Sequence, residues 1–391
     1  MLGIFLTLVG LVVAIPVATL FLQVVMTLPK QRAVDSLAMA RPQIAVLIPA
    51  HNEQFAIRNT LASIKDQLTD RDRLVVVADN CVDHTAEAAI LHGAEVTVRN
   101  ERGLRGKGYA LDHGIRYLEK TGAPEIVVFV DADCRVEPGS IDRLARTSIQ
   151  SMRPVQGAYL MNPPRPARKA ASIVAFAWKV RDFVRPLGWK RLGLPCQLSG
   201  SGMAFPWQII RAANLANDHL VEDLKQGLDL ALIGVFPLFC PEAVVTSDVG
   251  KGGEPSNAQR ARWEHGTIAT ILQYLPRLLL RLCQTRSLPL LAVTLDLSIP
   301  PLALLALTIA VYLVFAAAAA VTMKQPVPLV IASVNAMLMF LCIVLAWWRH
   351  GRDILPGQWL AFAPLYAVRK IPLYLRFFWN RQRVWQRGER E

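Results

Sequence analysis

Two carboxylates one residue apart, Asp131 and Asp133, close an apolar run, Glu125-Ile126-Val127-Val128-Phe129-Val130. A run of β-branched and aromatic residues, apolar on both faces, predicts a buried parallel strand. Such a strand delivers its two acids to the carboxyl edge of a sheet, where open α/β sheets bind ligands. Acids this close repel one another unless a cation lies beside them. A divalent metal carrying a phosphate-bearing substrate is the simplest candidate. The ordinary alternative is a solvated turn, because Asp is a common turn residue.

The elements that must hold this pair alternate around it. Strands are expected at 44–49, 74–78, 94–98, 126–130 and 155–160. Helical spacing marks 53–68, 85–91, 107–120 and 139–151. This alternation predicts an α/β domain with a mostly parallel, doubly wound sheet.

Apolar residues make up 53% of the 391, and mean hydropathy is +0.32. The excess lies toward the two ends, as expected of a soluble middle between membrane segments. Residues 2–28 are almost wholly apolar and long enough to cross a bilayer. No Lys or Arg precedes them, and Lys30, Arg32 and Arg41 follow. The positive-inside rule then predicts an uncleaved anchor, with the next segment in the cytoplasm. Two further spans are expected within 288–348: 288–321, kinked or broken at Pro300-Pro301, and 327–348. Three spans place the basic tail 349–391 inside. A fourth span within 359–385 would be short and interrupted by Pro364 and Pro372. Three stretches mix basic with aromatic and aliphatic residues: 165–191, 266–283 and 359–385. Such helices are expected to lie along lipid headgroups. They account for the net charge of +13 through an anionic membrane, without nucleic acid. The six cysteines form no CxxC pair, so neither a zinc site nor a disulfide framework is indicated. The loop 250–255 is the most flexible-looking stretch.

Several short motifs follow one another in order. Ile48-Pro49-Ala50-His51-Asn52-Glu53 ends the first strand, and Ala78-Asp79-Asn80-Cys81-Val82-Asp83-His84-Thr85 ends the second. Arg105-Gly106-Lys107-Gly108-Tyr109-Ala110-Leu111 opens a helix. After Asp131-Ala132-Asp133 come Ser199-Gly200-Ser201-Gly202-Met203, Val221-Glu222-Asp223 and Gln259-Arg260-Ala261-Arg262-Trp263. Together they resemble glycosyltransferase family 2, in its membrane-anchored Q-x-x-R-W branch. That branch includes synthases of cellulose, hyaluronan and poly-N-acetylglucosamine, and exopolysaccharide enzymes. The resemblance covers roughly 43–283 and the general layout of spans.

The resemblance implies a GT-A-like nucleotide-sugar-binding domain at 43–258, cytoplasmic, behind an anchor at 1–29. Residues 259–287 would form the Q-x-x-R-W and interfacial segment. Asp131 and Asp133 would hold Mg2+ or Mn2+, offsetting charge on the departing diphosphate. Asp79 would accept from the nucleotide base, and Glu53 from the base or ribose. Helix capping is the ordinary alternative for both. Lys107 would stand near phosphate, or else be a solvated surface charge. Asp223 matches the family's general base, with Glu222 beside it. Gln259 and Arg262 lie at helical spacing, and Arg262 would clamp the diphosphate. Trp263 would stack on an acceptor sugar, or else be a membrane anchor. Inversion at the anomeric carbon is implied.

Three or four spans are few for a polysaccharide pore. The expectation is therefore one sugar added from a nucleotide donor, UDP above all. Its acceptor would be a membrane lipid-linked glycan for exopolysaccharide or envelope synthesis. A processive synthase, a ceramide-glucosyltransferase-like glycolipid synthase and a non-catalytic scaffold remain the alternatives.

Overall fold

The computed structural model describes residues 1–29, 40–164, 166–248 and 257–379. Lys30, Arg32 and Arg165 lie outside the described residues, as do the loop 250–255 and the tail residues Arg381, Arg383 and Trp385. The chain divides into two units. One holds 31–162, 195–251 and 383–391; the other holds 1–30, 163–194 and 252–382. Residues 163–194 thus group with the apolar helices, although the expected domain 43–258 ran through them.

The first unit is built on eight strands: β1 (Ile44–Ala50), β2 (Arg73–Asp79), β3 (Glu95–Arg99), β4 (Ile126–Phe129), β5 (Arg135–Val136), β6 (Val155–Asn162), β7 (Met203–Pro206) and β8 (Leu238–Asp248). Their order is β3-β2-β1-β4-β7-β6-β8-β5. The half containing β3, β2, β1 and β4 is parallel, as the alternation of strands and helices predicts. Beyond β4 the sheet is mixed. β7 runs antiparallel to both β4 and β6, β5 runs antiparallel to β8, and β6 pairs parallel with β8.

Three strands, β5, β7 and β8, carry little sequence signal. β5 has two residues and β7 four. β8 contains Pro241, which normally marks a break. The structure absorbs it in an irregularity: Gly157 pairs with Cys240 but Ala158 with Val244, so residues 241–243 bulge out. A Cβ on Gly157 would lie 2.8 Å from the carbonyl oxygen of Ala243, so the bulge presses on bare backbone.

Burial explains the parallel half. Every residue of β4 is buried, and Phe129 meets Phe205 of β7 with ring centroids 5.1 Å apart. Leu111, Ile115 and Leu118 on helix Lys107–Thr121 pack with Leu47, Val75, Val77 and Val127 in one core. The helix expected from residue 53 begins only at Ile57. Residues 52–54 are instead spent on loop contacts described below.

In the second unit, helices Leu2–Met26, Leu302–Met323 and Pro326–His350 are long and apolar enough to cross a membrane. The expected span 288–321 is broken. Helix Leu288–Leu297 stops before Pro300-Pro301, and the long helix starts after it. Asp296 on the short helix is buried, and its carboxylate accepts from Arg185 Nη2 at 2.9 Å and Gln23 Nε2 at 2.6 Å.

The stretch 169–191 is a continuous path of α-helix, one π-turn at Val180–Val184, and α-helix. Its apolar face turns inward rather than toward headgroups. Phe176, Val180 and Val184 join Val17, Leu20, Ile309 and Met339 in one cluster, and Trp189 is only 2% exposed. Several of its cations are matched within the unit. Lys179 pairs with Asp353, and Arg191 donates to the Met26 carbonyl. Helix Ile371–Trp379 does expose apolar residues, with Phe378 and Trp379 about 80% exposed.

Gly188 sits where two helix backbones come close. A Cβ there would lie 2.1 Å from the Gln23 carbonyl oxygen and 2.7 Å from its carbonyl carbon and Cα. Gly188→Ala forces two helix backbones apart, at a cost of about 1–3 kcal/mol. A lowered melting temperature of the detergent-solubilised protein is expected; an unchanged one refutes the contact.

Candidate active site

The site grows from the carboxyl end of β4. Past Phe129 the chain turns, with Cys134 N–H donating to the Asp131 carbonyl. Two hydroxyls fix this turn. Ser201 Oγ accepts from Asp131 N–H at 3.1 Å, and Thr60 Oγ1 donates to the Ala132 carbonyl at 2.8 Å. The ligand atoms of Asp131, Asp133 and Cys134 all lie within 4.8 Å of one another. The two carboxylates offer hard oxygen donors that suit Mg2+ or Mn2+; Cys134 is buried. Asp131 and Asp133 therefore fit a divalent cation.

Lys107 enters from the first turn of its helix. Its Nζ pairs with Asp131 Oδ1, donates to the Gly200 carbonyl at 2.6 Å, and lies 3.7 Å from Glu222 Oε1. Burial works to lower the ammonium's pKa, but Asp131, Glu222 and Asp223 outweigh it, so the group is held charged. Burial raises the pKa of the Asp131 carboxyl, against the pull of Lys107, and Asp133 and Asp223 raise it further. Lys107 is therefore no solvated surface charge.

Glu222 and Asp223 open helix Glu222–Leu232, where the helix dipole favours negative charge. Asp223 Oδ2 comes within 3.1 Å of where a Gly200 Cβ would stand, and Gly200 has φ +91°. Only glycine meets both demands. The loop 199–202 is pinned from beneath by Gln156, a buried residue of β6. Its Nε2 donates to the Ser201 carbonyl at 2.9 Å, and its Oε1 accepts from Ser199 N–H at 2.8 Å. The sequence offered one signal for Gln156: an amide inside a strand of otherwise apolar residues.

Asp79 ends β2, and Glu53 sits on the loop after β1. Asn52 and Asn80 both turn left-handed there, with φ 55° and 51°. The two loops are tied together. Glu53 N–H donates to Thr85 Oγ1 at 2.7 Å, Val82 N–H to Asn52 Oδ1 at 2.7 Å, and His51 Nδ1 lies 2.6 Å from the Asp79 carbonyl oxygen. Neither acid caps a helix: the next helices start after Ala56 and His84, without side-chain caps. The Asp79 carboxylate is buried, and its Oδ1 accepts from Arg99 Nη1 at 2.6 Å and Asn80 Nδ2 at 2.9 Å. Burial raises its pKa, and Arg99 opposes the rise. Arg99 was missed in the sequence, although the parallel register of β2 and β3 sets it opposite Asp79.

Gln259, Arg262 and Trp263 lie on helix Asn257–Thr285 of the other unit. Trp263 meets Trp178 edge-on with centroids 4.8 Å apart, and Arg181 stacks on Trp178 at 3.8 Å. One side of the Trp263 ring is thus taken by protein. Arg262 Nε is buried with no hydrogen-bond partner among the described residues. Two residues on, Glu264 is tied to the C-terminal helices by Lys370 and by Tyr374 Oη at 3.1 Å.

Removing Arg99 leaves a buried carboxylate unpaired, which costs about 3–5 kcal/mol. The Asp79 pKa then rises further above its unfolded value of about 3.9. A carboxyl raised in this way destabilises the fold above that value, most at neutral pH, and the loss is relieved as pH falls toward it. Arg99→Met should therefore lower the melting temperature at neutral pH and lower it less in acid. A deficit independent of pH contradicts this.

A family model described as "Glycosyltransferase like family 2" matches residues 42–266, more than half of the chain. A probable glycosyltransferase, YdaM, of Bacillus subtilis is 24% identical over 254 residues, 60% of this chain and 57% of that protein. An uncharacterized protein, MJ1222, of Methanocaldococcus jannaschii is 33% identical over 108 residues, 27% of this chain and 42% of that protein. The chain thus spans about half the length of the curated relatives it matches. Among solved structures, the mannosyltransferase PcManGT from Pyrobaculum calidifontis, in complex with GDP-Man and Mn2+, aligns over 97% of this chain and 99% of its own. The TM-score is 0.60 at 18% identity, a likeness of fold. With its GT-A-like fold, this chain belongs to glycosyltransferase-like family 2.

Proposed function

We propose that this enzyme is an inverting, metal-dependent, membrane-bound transferase of the Q-x-x-R-W branch. Its donor is a nucleotide diphosphate sugar, UDP-linked in the first instance. Its acceptor is a membrane lipid-linked glycan at the cytoplasmic face, for exopolysaccharide or a related envelope product. One observation carries the catalytic half: Lys107, Asp131, Asp133, Glu222 and Asp223 converge beside Gly200.

Asp131 and Asp133 are the residues that hold Mg2+ or Mn2+. When bound, the metal offsets the negative charge that gathers on the diphosphate as the glycosidic bond breaks. Asp79 and Glu53 accept hydrogen bonds from the base and ribose, at loops fixed by their mutual contacts. Asp223 takes the proton of the attacking hydroxyl at its carboxylate. It comes from a different element than Asp131 and Asp133, which suits base and leaving group on opposite sides of the anomeric carbon. Gln259 and Arg262 are assigned to the diphosphate, and Arg262 brings a guanidinium suited to phosphate oxygens. Trp263 is assigned to the acceptor through its remaining open edge.

The acceptor half is supported by the three apolar helices and by the basic, apolar-faced helix Ile371–Trp379. Three candidate spans among the described residues favour single addition over an enclosed polymer channel.

The test is transfer of radiolabelled sugar into membrane lipid extracts from a panel of UDP- and GDP-sugars. Asp223→Asn is expected to lower kcat by about 10²–10⁴-fold with nucleotide binding retained. EDTA should abolish transfer, and Mn2+ or Mg2+ should restore it. Full activity of Asp223→Asn, or full activity in EDTA, refutes the mechanism. A long product ladder would replace single addition with processive synthesis.

A further inference from the structure

We propose that Lys107 is a built-in stand-in cation that couples entry of the divalent metal to entry of the nucleotide diphosphate. Its ammonium occupies an oxygen of Asp131, and a diphosphate would draw it away. The inference rests on the reading of Asp131 and Asp133 as the metal pair.

The site holds four carboxylates, from Asp131, Asp133, Glu222 and Asp223, around one ammonium. Nζ lies between the β4 turn and the Glu222–Leu232 helix and reaches both, with Gly200 O as a third partner. Ser201 Oγ accepts from the Asp131 backbone N–H, which fixes the main chain of the turn that carries this carboxylate. A divalent ion arriving alone at Asp131 meets a carboxylate already matched and a like charge a few ångströms off. At such range the repulsion is large even with generous screening. A diphosphate changes the balance. It brings several negative oxygens, and Lys107 carries its charge on a flexible four-carbon stem that can follow them. Its departure frees Asp131 Oδ1 for the metal and releases the Gly200 carbonyl. Gly200 is also the backbone against Asp223. The donor side is thereby linked to the residue that faces the acceptor.

Coupling between two ligands is reciprocal, and typical couplings are roughly 5- to 150-fold. The experiment is Mn2+ binding to the full-length protein in detergent, read by the EPR signal of free Mn2+, without nucleotide and with UDP or GDP. The wild type is expected to bind Mn2+ weakly alone and more tightly, within that range, with one of the nucleotides. Lys107→Met should bind Mn2+ alone more tightly than the wild type, and nucleotide should then add less. Lys107→Gln repeats the charge removal in case the Met variant fails to fold. Lys107→Arg keeps the charge and should stay near wild type. If the neutral variants bind Mn2+ alone no more tightly than the wild type, the inference falls. Asp133→Asn separates the two levels. Mn2+ binding that survives this change overturns the metal reading itself. Binding lost in Asp133→Asn but insensitive to Lys107 overturns only the coupling.

Discussion

Carboxylates gathered at one strand edge repel one another, and no fold keeps them together without positive charge among them. Here Lys107 supplies it from within the chain. Its ammonium reaches Asp131 on the β4 turn, Glu222 on a helix start and the backbone of Gly200. That one charge joins the turn, the helix and the loop 199–202. The chemistry assigned to the site needs this crowding of acids, so the same feature that strains the fold makes it reactive.

The sheet is arranged to make the crowding possible. The parallel half brings β1, β2 and β4 to a common edge, so Glu53, Asp79 and Asp131 leave neighbouring strands on one side. The antiparallel β7 then returns the chain to that edge, carrying Gly200 and Ser201 just before it. Gln156 on β6 fixes this return with two hydrogen bonds from a buried amide. Reactive groups stand on loops and first helical turns, and buried hydrogen bonds beneath the loops help set their positions.

The parallel half could be read directly because buried parallel strands are continuous apolar runs with turn residues at their ends. Asp131 and Asp133 stand out as acids that close such a run, whereas Lys107 and Asp223 stand out only through the resemblance to family 2 motifs. What stayed hidden depends on pairing across long sequence distances. Nothing local in Met203–Pro206 says that it will slot between β4 and β6. Pro241 argues against a strand that tertiary pairing nevertheless forms around a bulge. Arg99 reads as a strand-end cation until the register sets it against Asp79. The stretch 169–191 has the composition of a headgroup-lying helix. Its Phe and Val residues instead find apolar partners from three other helices, and burial there wins.

The buried group of Gln23, Arg185 and Asp296 ties together three segments that are far apart in the chain. This imposes an order on biosynthesis. Among the described residues, Arg185 has its acid partner only once Asp296 has been synthesised. A guanidinium so placed is costly to leave unmatched in an apolar bundle. The catalytic sheet, by contrast, has its last strand in hand at Asp248. The nascent chain can therefore finish its catalytic sheet while its hydrophobic bundle is still waiting for the residue that locks it.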